Sequence, residues 1–477
     1  MSLDPPPLGG LELSQNVDDG SHALRNGAAR PDQEVEARNF VALPQPHLVP
    51  MKWIAFAAAL LFAVPFCVRQ ASRSSGFRKF LVGLIAFDLL NPQHINIVSD
   101  ALYRGDSRGI EVTSVDLMVL SLFAAQRLRR VRVAVRPRFL LVRILYFAAV
   151  VLSLTGSPDM ERSFYSIWKI ARMFFAFSVL ADAFVEVELL QAALWGLGLG
   201  VLGQGLLALD QKYMHHMVRV LGSQAHPNSL AMLVNLIMPV AFALILAGRA
   251  RWIASFVVLA AAMCDIFTLS RAGMLMFGCA AAIVAVGSLL RGVNLRKVAV
   301  LSATALAASL VMAKSAGTII QRFTDAPKTS VHARELFNAA AEAMANNHLF
   351  GVGVNMFSFV LDHGGYADRL GIESGDRNGI AHHIYWLTAA ETGYPGLVAY
   401  ALLLGAILVA ALREARRPGL TGDIALGLMA GLVAMYAQGL TEWVARQTTV
   451  SYCFWMFAAM ISAFYATRTS QDRRAIA

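Results

Sequence analysis

Charge is what this 477-residue chain has least of: 15% of its residues are charged against 57% hydrophobic, which excludes an ordinary soluble domain. Cysteine is also scarce. Cys67, Cys264, Cys279 and Cys453 all lie inside apolar runs and none forms a CxxC pair, so they read as small apolar residues, with no disulfide framework or thiolate metal site. No Walker-type phosphate loop is present. The glycines of GVGVNMF follow a helical pattern and lack the third glycine of a dinucleotide fingerprint. The only paired histidines, His215/His216 and His382/His383, are adjacent, and adjacent side chains diverge on a helix where zinc requires convergence. No metal, cofactor or cytosolic nucleotide donor is therefore expected. Residues 1–50 hold Pro, Gly, Asp and Glu without an apolar centre, so no cleavable signal peptide is expected there and a disordered tail is.

What the chain does have is apolar runs long enough to cross about 30 Å of hydrocarbon as helices. They fall at about 52–68, 80–98, 112–127, 139–155, 163–184, 188–209, 228–247, 252–269, 273–290, 298–314, 384–411, 422–440 and 447–467. The expected fold is an all-α, polytopic transmembrane bundle of about twelve or thirteen spans. The net charge of +10 is spread over short loops with no aromatic-interleaved platform, so it signals membrane topology and no nucleic-acid partner. Basic clusters at Arg69/Arg73/Arg78/Lys79, Arg127 to Arg138, Arg249/Arg251, Arg291/Arg296/Lys297, Arg413/Arg416/Arg417 and after Arg468 mark alternate loops as cytoplasmic. The acidic tail then lies outside, or the first span does not fully cross. The expected organisation is a tail (1–50), a first bundle (51–314), a large outer loop (315–381), C-terminal helices (382–468) and a cytoplasmic tail (469–477). Within the loop, Ser330 is placed to cap a helix carrying Phe337, Ala341 and Met344 on one face.

On this topology nine of the eleven histidines, all but His22 and His47, fall on outward loops or span ends. Several cations share that face: Arg219, Arg271 in the turn LSRAG, and Arg322 and Arg334 in the long loop. Lys169 and Arg172 stand one helical turn apart inside an apolar span, where they face a cavity or anionic partner, line a translocation path, or snorkel to an interface. Arginine offers a planar fork of donors that stays protonated, which suits a diphosphate at the head of a lipid-linked substrate.

Four segments carry a resemblance: RVLGSQAHPNSLA, LSRAGMLMF, RELFNAAAEAMANNHLFGVGVNMF and HHIYWLTAAETGYPGL. In order and spacing, from about Arg219 to Leu397, they are similar to the O-antigen ligase and polymerase superfamily of bacterial membrane glycosyltransferases. The family's segment begins with His, then Asn or Ser, a free position, Tyr or Phe, and Leu, and runs on to E-x-G-x-x-G. His382, Tyr385, Glu391, Gly393 and Gly396 match it, while His383 and Trp386 depart from it.

The resemblance implies a multi-pass protein of the bacterial inner membrane with one large periplasmic helical loop. Its donor would be an undecaprenyl-pyrophosphate-linked glycan and its acceptor a glycan hydroxyl, with membrane lipids and other polysaccharide export or assembly proteins as partners. Transfer needs a base, and an imidazole, ordinarily of pKa about 6.5, supplies one at His382. It also needs a counter-charge for the departing pyrophosphate, for which Arg219, Arg271 and Arg334 are the candidates. Glu391, Tyr385 and His383 are supporting candidates. Polymerisation of an exopolysaccharide or O-antigen, ligation onto lipid A-core and protein O-glycosylation share these motifs, and a polysaccharide flippase is the rival from another class.

Overall fold

The computed structural model describes residues 49–100, 103–129, 139–324 and 328–476. The expected disordered tail, all but its last two residues, lies outside the described residues. Nine described helices are long and apolar enough to cross a membrane: α1 (Trp53–Arg73), α5 (Met160–Ala183), α6 (Val187–Tyr213), α7 (Pro227–Ala247), α8 (Arg251–Thr268), α9 (Arg271–Leu290), α14 (Ile384–Ala415), α15 (Leu420–Gln438) and the apolar part of α16 (Thr448–Ile476). Shorter helices are α2 (Ser75–Asp88), α3 (Ser114–Leu128) and α4 (Leu140–Leu152). The expected span 298–314 falls within α10 (Leu295–Thr324).

Two expected spans are corrected. The run 80–98 is not one helix: α2 stops at Asp88, and His94–Ser99 is a strand, β1, paired antiparallel with β2 (Gly109–Thr113). Pro92 cannot continue a helix, and the β-branched residues after it favour extended backbone. The run 112–127 likewise begins in β2, leaving α3 with 15 residues, too few for an upright crossing. A capping box between Thr113 and Asp116 marks the change from strand to helix.

α7 is the axis of the bundle and is buried along nearly its whole length. Its closest neighbour is α15, which presents Gly427 and Gly431 to it. A Cβ at either glycine would stand 2.3 Å from the α7 backbone, at Val240 Cα or Leu236 O. In a bilayer, where lipid tails compete equally for apolar side chains, this close small-residue contact is what binds helix to helix.

The polar insert folds as α11 (Lys328–Asn347), α12 (Phe357–His363) and the single turn α13 (Tyr366–Arg369). α11 begins at Lys328, two residues before the expected cap Ser330, an ordinary displacement of a helix start. Its expected inner face is buried: Phe337, Ala341 and Met344 join Met356, Phe357 and Leu361 in a second core, which closes on Leu387 and Ala390 of α14. Asn355 ties this insert to the hairpin. Its side-chain amide donates to Ser107 O and Arg162 O, both at 2.8 Å, and its Oδ1 accepts from Ser107 N.

Candidate active site

α14 is broken near its start. Gly393 has φ 69° and ψ 178°, a conformation open essentially to glycine alone, and a Cβ there would lie 2.0 Å from Leu349 O. The carbonyls freed by the break are paired by the GVGVN loop: Val352 N donates to Ala390 O at 2.9 Å and Gly353 N to Glu391 O at 3.1 Å. The glycines of GVG thus serve close backbone approach. The break separates a short first segment, Ile384 to Thr392, which the histidines precede, from the long apolar part of α14.

His383 is the N-cap of α14, its Nδ1 accepting from Trp386 N at 3.3 Å. That explains the departure at this position: Asn and Ser are ordinary N-cap residues, and His fills the same role here. Partial burial holds its imidazole pKa below the usual 6.5. Tyr385 turns inward, its hydroxyl donating to Tyr436 O at 2.8 Å.

His382 points elsewhere, toward a residue the sequence reading overlooked. Its Nδ1 lies 3.4 Å from Oε2 of Glu442, which stands in the link between α15 and α16. The Glu442 side chain is 4% exposed, so its charge needs partners, and among the described residues it has three. Besides His382, Arg334 Nη1 lies 3.4 Å from Oε1, and Asn228 Nδ2 donates to the same oxygen at 2.6 Å. Asn228 Oδ1 in turn accepts from Arg219 Nη2 at 3.0 Å, while Arg219 Nε donates to Thr268 O at 2.9 Å. Asn228 is held at the start of α7 by His226, whose Nδ1 accepts from its backbone N, and by Pro227 at the first helical position. His382 and Arg334 thereby meet at one carboxylate, and Arg219 joins them through Asn228.

Arg271 opens α9 after the N-cap Ser270, and its side chain makes no hydrogen bond or ion pair with any described residue. It lies three residues beyond Thr268, the carbonyl that holds Arg219. The side chain of Arg322 lies outside the described residues.

Glu391 is in a different place. It is buried beyond the first turn of α14, with Oε2 2.6 Å from Arg446 Nη2 and Oε1 accepting from Phe357 N. Arg446 Nε lies 3.0 Å from Asp106, which also pairs with Lys169 at 3.0 Å. Burial alone would push the Asp106 carboxyl up, but Arg446 and Lys169 hold it well below the usual carboxylate range. Arg172 lies 2.6 Å from Asp116 and 2.9 Å from Glu111. Neither intramembrane cation snorkels: both are buried and paired with carboxylates of the hairpin region and the start of α3. These partners, like Glu442, escaped a reading that followed cations and histidines alone. The available signal was that two charges, Glu442 and Arg446, stand four residues apart in a short link between apolar spans.

Chemically the first cluster offers an imidazole with one nitrogen held by a carboxylate and guanidinium groups beside it, at the lip of the membrane-crossing helices. Residues 256–401, from within α8 to within α14, match the family model described as O-antigen ligase. No curated protein matches the chain.

Proposed function

We propose that this chain, a multi-pass membrane enzyme of polysaccharide assembly in the O-antigen ligase and polymerase superfamily, transfers a glycan from undecaprenyl pyrophosphate to a hydroxyl of an acceptor glycan. The observation that carries this reading is the His382–Glu442 pair with Arg334 and Arg219 on the same polar cluster. The acceptor hydroxyl attacks the anomeric carbon, its proton passes to Nε2 of His382, and the bond from that carbon to the pyrophosphate oxygen breaks. Glu442 faces Nδ1, so it fixes the tautomer with a free Nε2 and stabilises the imidazolium that forms. The departing undecaprenyl pyrophosphate gains negative charge, which Arg219, Arg271 and Arg334 offset. Of these, Arg271 is the one with its donors uncommitted among the described residues. His383 and Glu391 support the site through the backbone, one capping α14 and the other anchoring its break.

The insert and His382 lie at the periplasmic face in this reading, where an inner-membrane enzyme meets its lipid-linked donor after flipping. The reaction we favour is polymerisation of an exopolysaccharide or O-antigen. The ion pairs of Lys169 and Arg172 weigh against a flippase, since cations committed to buried carboxylates are not free to line a path.

The test is glycan transfer from purified lipid-linked oligosaccharide by the reconstituted protein. A ladder of repeat lengths marks polymerisation and a single addition marks ligation. His382→Ala should lower transfer by about 10² to 10⁴-fold with donor binding retained. A loss below about tenfold, or lipid movement without glycan transfer, overturns the reading.

A further inference from the structure

Away from the His382 cluster, a groove of about 380 Å³ opens between α6, α7 and α8, a volume within the range of ligand pockets. Its wall is apolar, with Trp195, Ile237, Leu244 and Val257, and its polar lining groups are Gln191 and Arg249. At about 1.5 Å per residue, Ile237 and Leu244 lie roughly 13 and 24 Å along α7 from Asn228. The groove therefore belongs to the end of the bundle opposite the polar cluster.

That end is cationic. Arg249 is about half exposed and shares Asp423 with Arg291, at 3.2 and 2.9 Å. Arg251, two residues further and exposed, has no side-chain hydrogen bond or ion pair with a described residue. Arg296 reaches back to Leu246 O at 3.1 Å, beside the C-terminus of α7. Trp252, 81% exposed, stands at the start of α8 where an aromatic residue marks a membrane interface. One carboxylate shared by two arginines leaves this rim positive, next to a hydrocarbon-lined slot.

We propose that the groove is a binding site for an anionic phospholipid of the adjacent leaflet, with one acyl chain between α6, α7 and α8 and its phosphate on Arg249 and Arg251. The apolar wall supplies contact for the chain, and the forked guanidinium groups select the negatively charged head. The isoprenoid chain of the donor is the competing occupant, but its diphosphate would lie at the other end of α7. The site does not depend on the transfer reaction.

The full-length protein, stripped of lipid in detergent, is titrated separately with dioleoylphosphatidylglycerol, dioleoylphosphatidylcholine and undecaprenyl phosphate, with occupancy read by native mass spectrometry. The glycerol lipid should bind about tenfold more tightly than the choline lipid. Combined Arg249→Gln and Arg251→Gln should erase that preference, and both residues are exposed enough for the fold to tolerate the change. Leu244→Trp, which fills the slot, should lower occupancy by either phospholipid. Equal affinity for the two phospholipids overturns the proposal, as does a preference unchanged in the double variant. Displacement of phosphatidylglycerol by undecaprenyl phosphate also overturns it and gives the groove to the donor's chain.

Discussion

Glu442→Gln is the substitution that most directly examines the proposed chemistry, because it keeps the size of the side chain and removes its charge. In the transition state the His382 imidazolium faces that charge at 3.4 Å, for which Coulomb's law gives about 5 kcal/mol at an effective dielectric of about 20. The imidazole is 25% exposed, so solvent screening reduces the interaction to about 2–3 kcal/mol. Transfer should therefore slow by roughly 30- to 150-fold. Donor binding should change less, since Arg334 is 35% exposed and can keep its charge solvated when its partner is lost. The assay is the transfer rate from lipid-linked oligosaccharide at saturating donor, with donor affinity measured separately. In a His382→Ala background the same change should cost little more, because residues acting as a unit are not additive. Near-normal transfer by Glu442→Gln, with His382→Ala inactive, would refute the coupling. Equal losses in both backgrounds would show that Glu442 acts only through Arg334 and Asn228.

Lysine at Arg219 or Arg271 keeps the charge and loses the fork, so transfer should fall substantially, and alanine should be at least as damaging; full activity in both variants removes that residue from the site. Gly393→Ala should cost about 1–3 kcal/mol in backbone strain before the contact with Leu349 O is counted, seen as a lower thermal midpoint together with lost transfer. His383 has its folded pKa lowered, so the stability linked to its neutral form is complete above about 6.5 and is lost as pH falls from there toward the folded value. Thermal midpoints measured between pH 7 and 5 should thus fall more for the wild type than for His383→Asn, which keeps the cap without the titration; parallel curves would contradict this. Cysteine introduced at Asp376, in a background lacking native cysteines, should react with an impermeant maleimide from the periplasmic side, and cysteine at Asn294 should not; the reverse pattern would invert the proposed topology.

The lengths of nine apolar helices can be read from hydropathy because a span of about 20 apolar residues is the dominant constraint in a bilayer. The hairpin is hidden for the same reason: hydropathy registers Ile95, Ile97 and Val98 as apolar and is blind to the extended backbone that Pro92 and β-branching favour. In the site, His382, Arg334 and Arg219 are visible as motif residues, yet nothing local says that the first two share Glu442 and that Arg219 joins them through Asn228. Lys169 and Arg172 show the same limit. Their cost inside an apolar helix is legible, but the carboxylates that answer it, Asp106, Glu111 and Asp116, come from the hairpin and the start of α3, more than fifty residues upstream.

That distant pairing bears on the chemistry through the link between α15 and α16. Glu442 sits in its middle. At one end Gly439 O accepts from Ile384 N at 2.9 Å, fastening the link to the residue two beyond His382. At the other end Arg446 is fastened to Asp106 and to Glu391, the latter beside the break at Gly393. Lys169 Nζ adds a hydrogen bond to the carbonyl of Arg446, so the hairpin, α5, α14 and the link close on one another. A carboxylate and an imidazole must keep their separation to a fraction of an ångström to act together, and both belong to short irregular segments with little regular hydrogen bonding of their own. The buried ionic network supplies the rigidity those segments lack. This accounts for the placement of Glu391 in the same motif as His382 although the two side chains serve different clusters: His382 meets Glu442, while Glu391 anchors Arg446 at the far end of the link that carries Glu442.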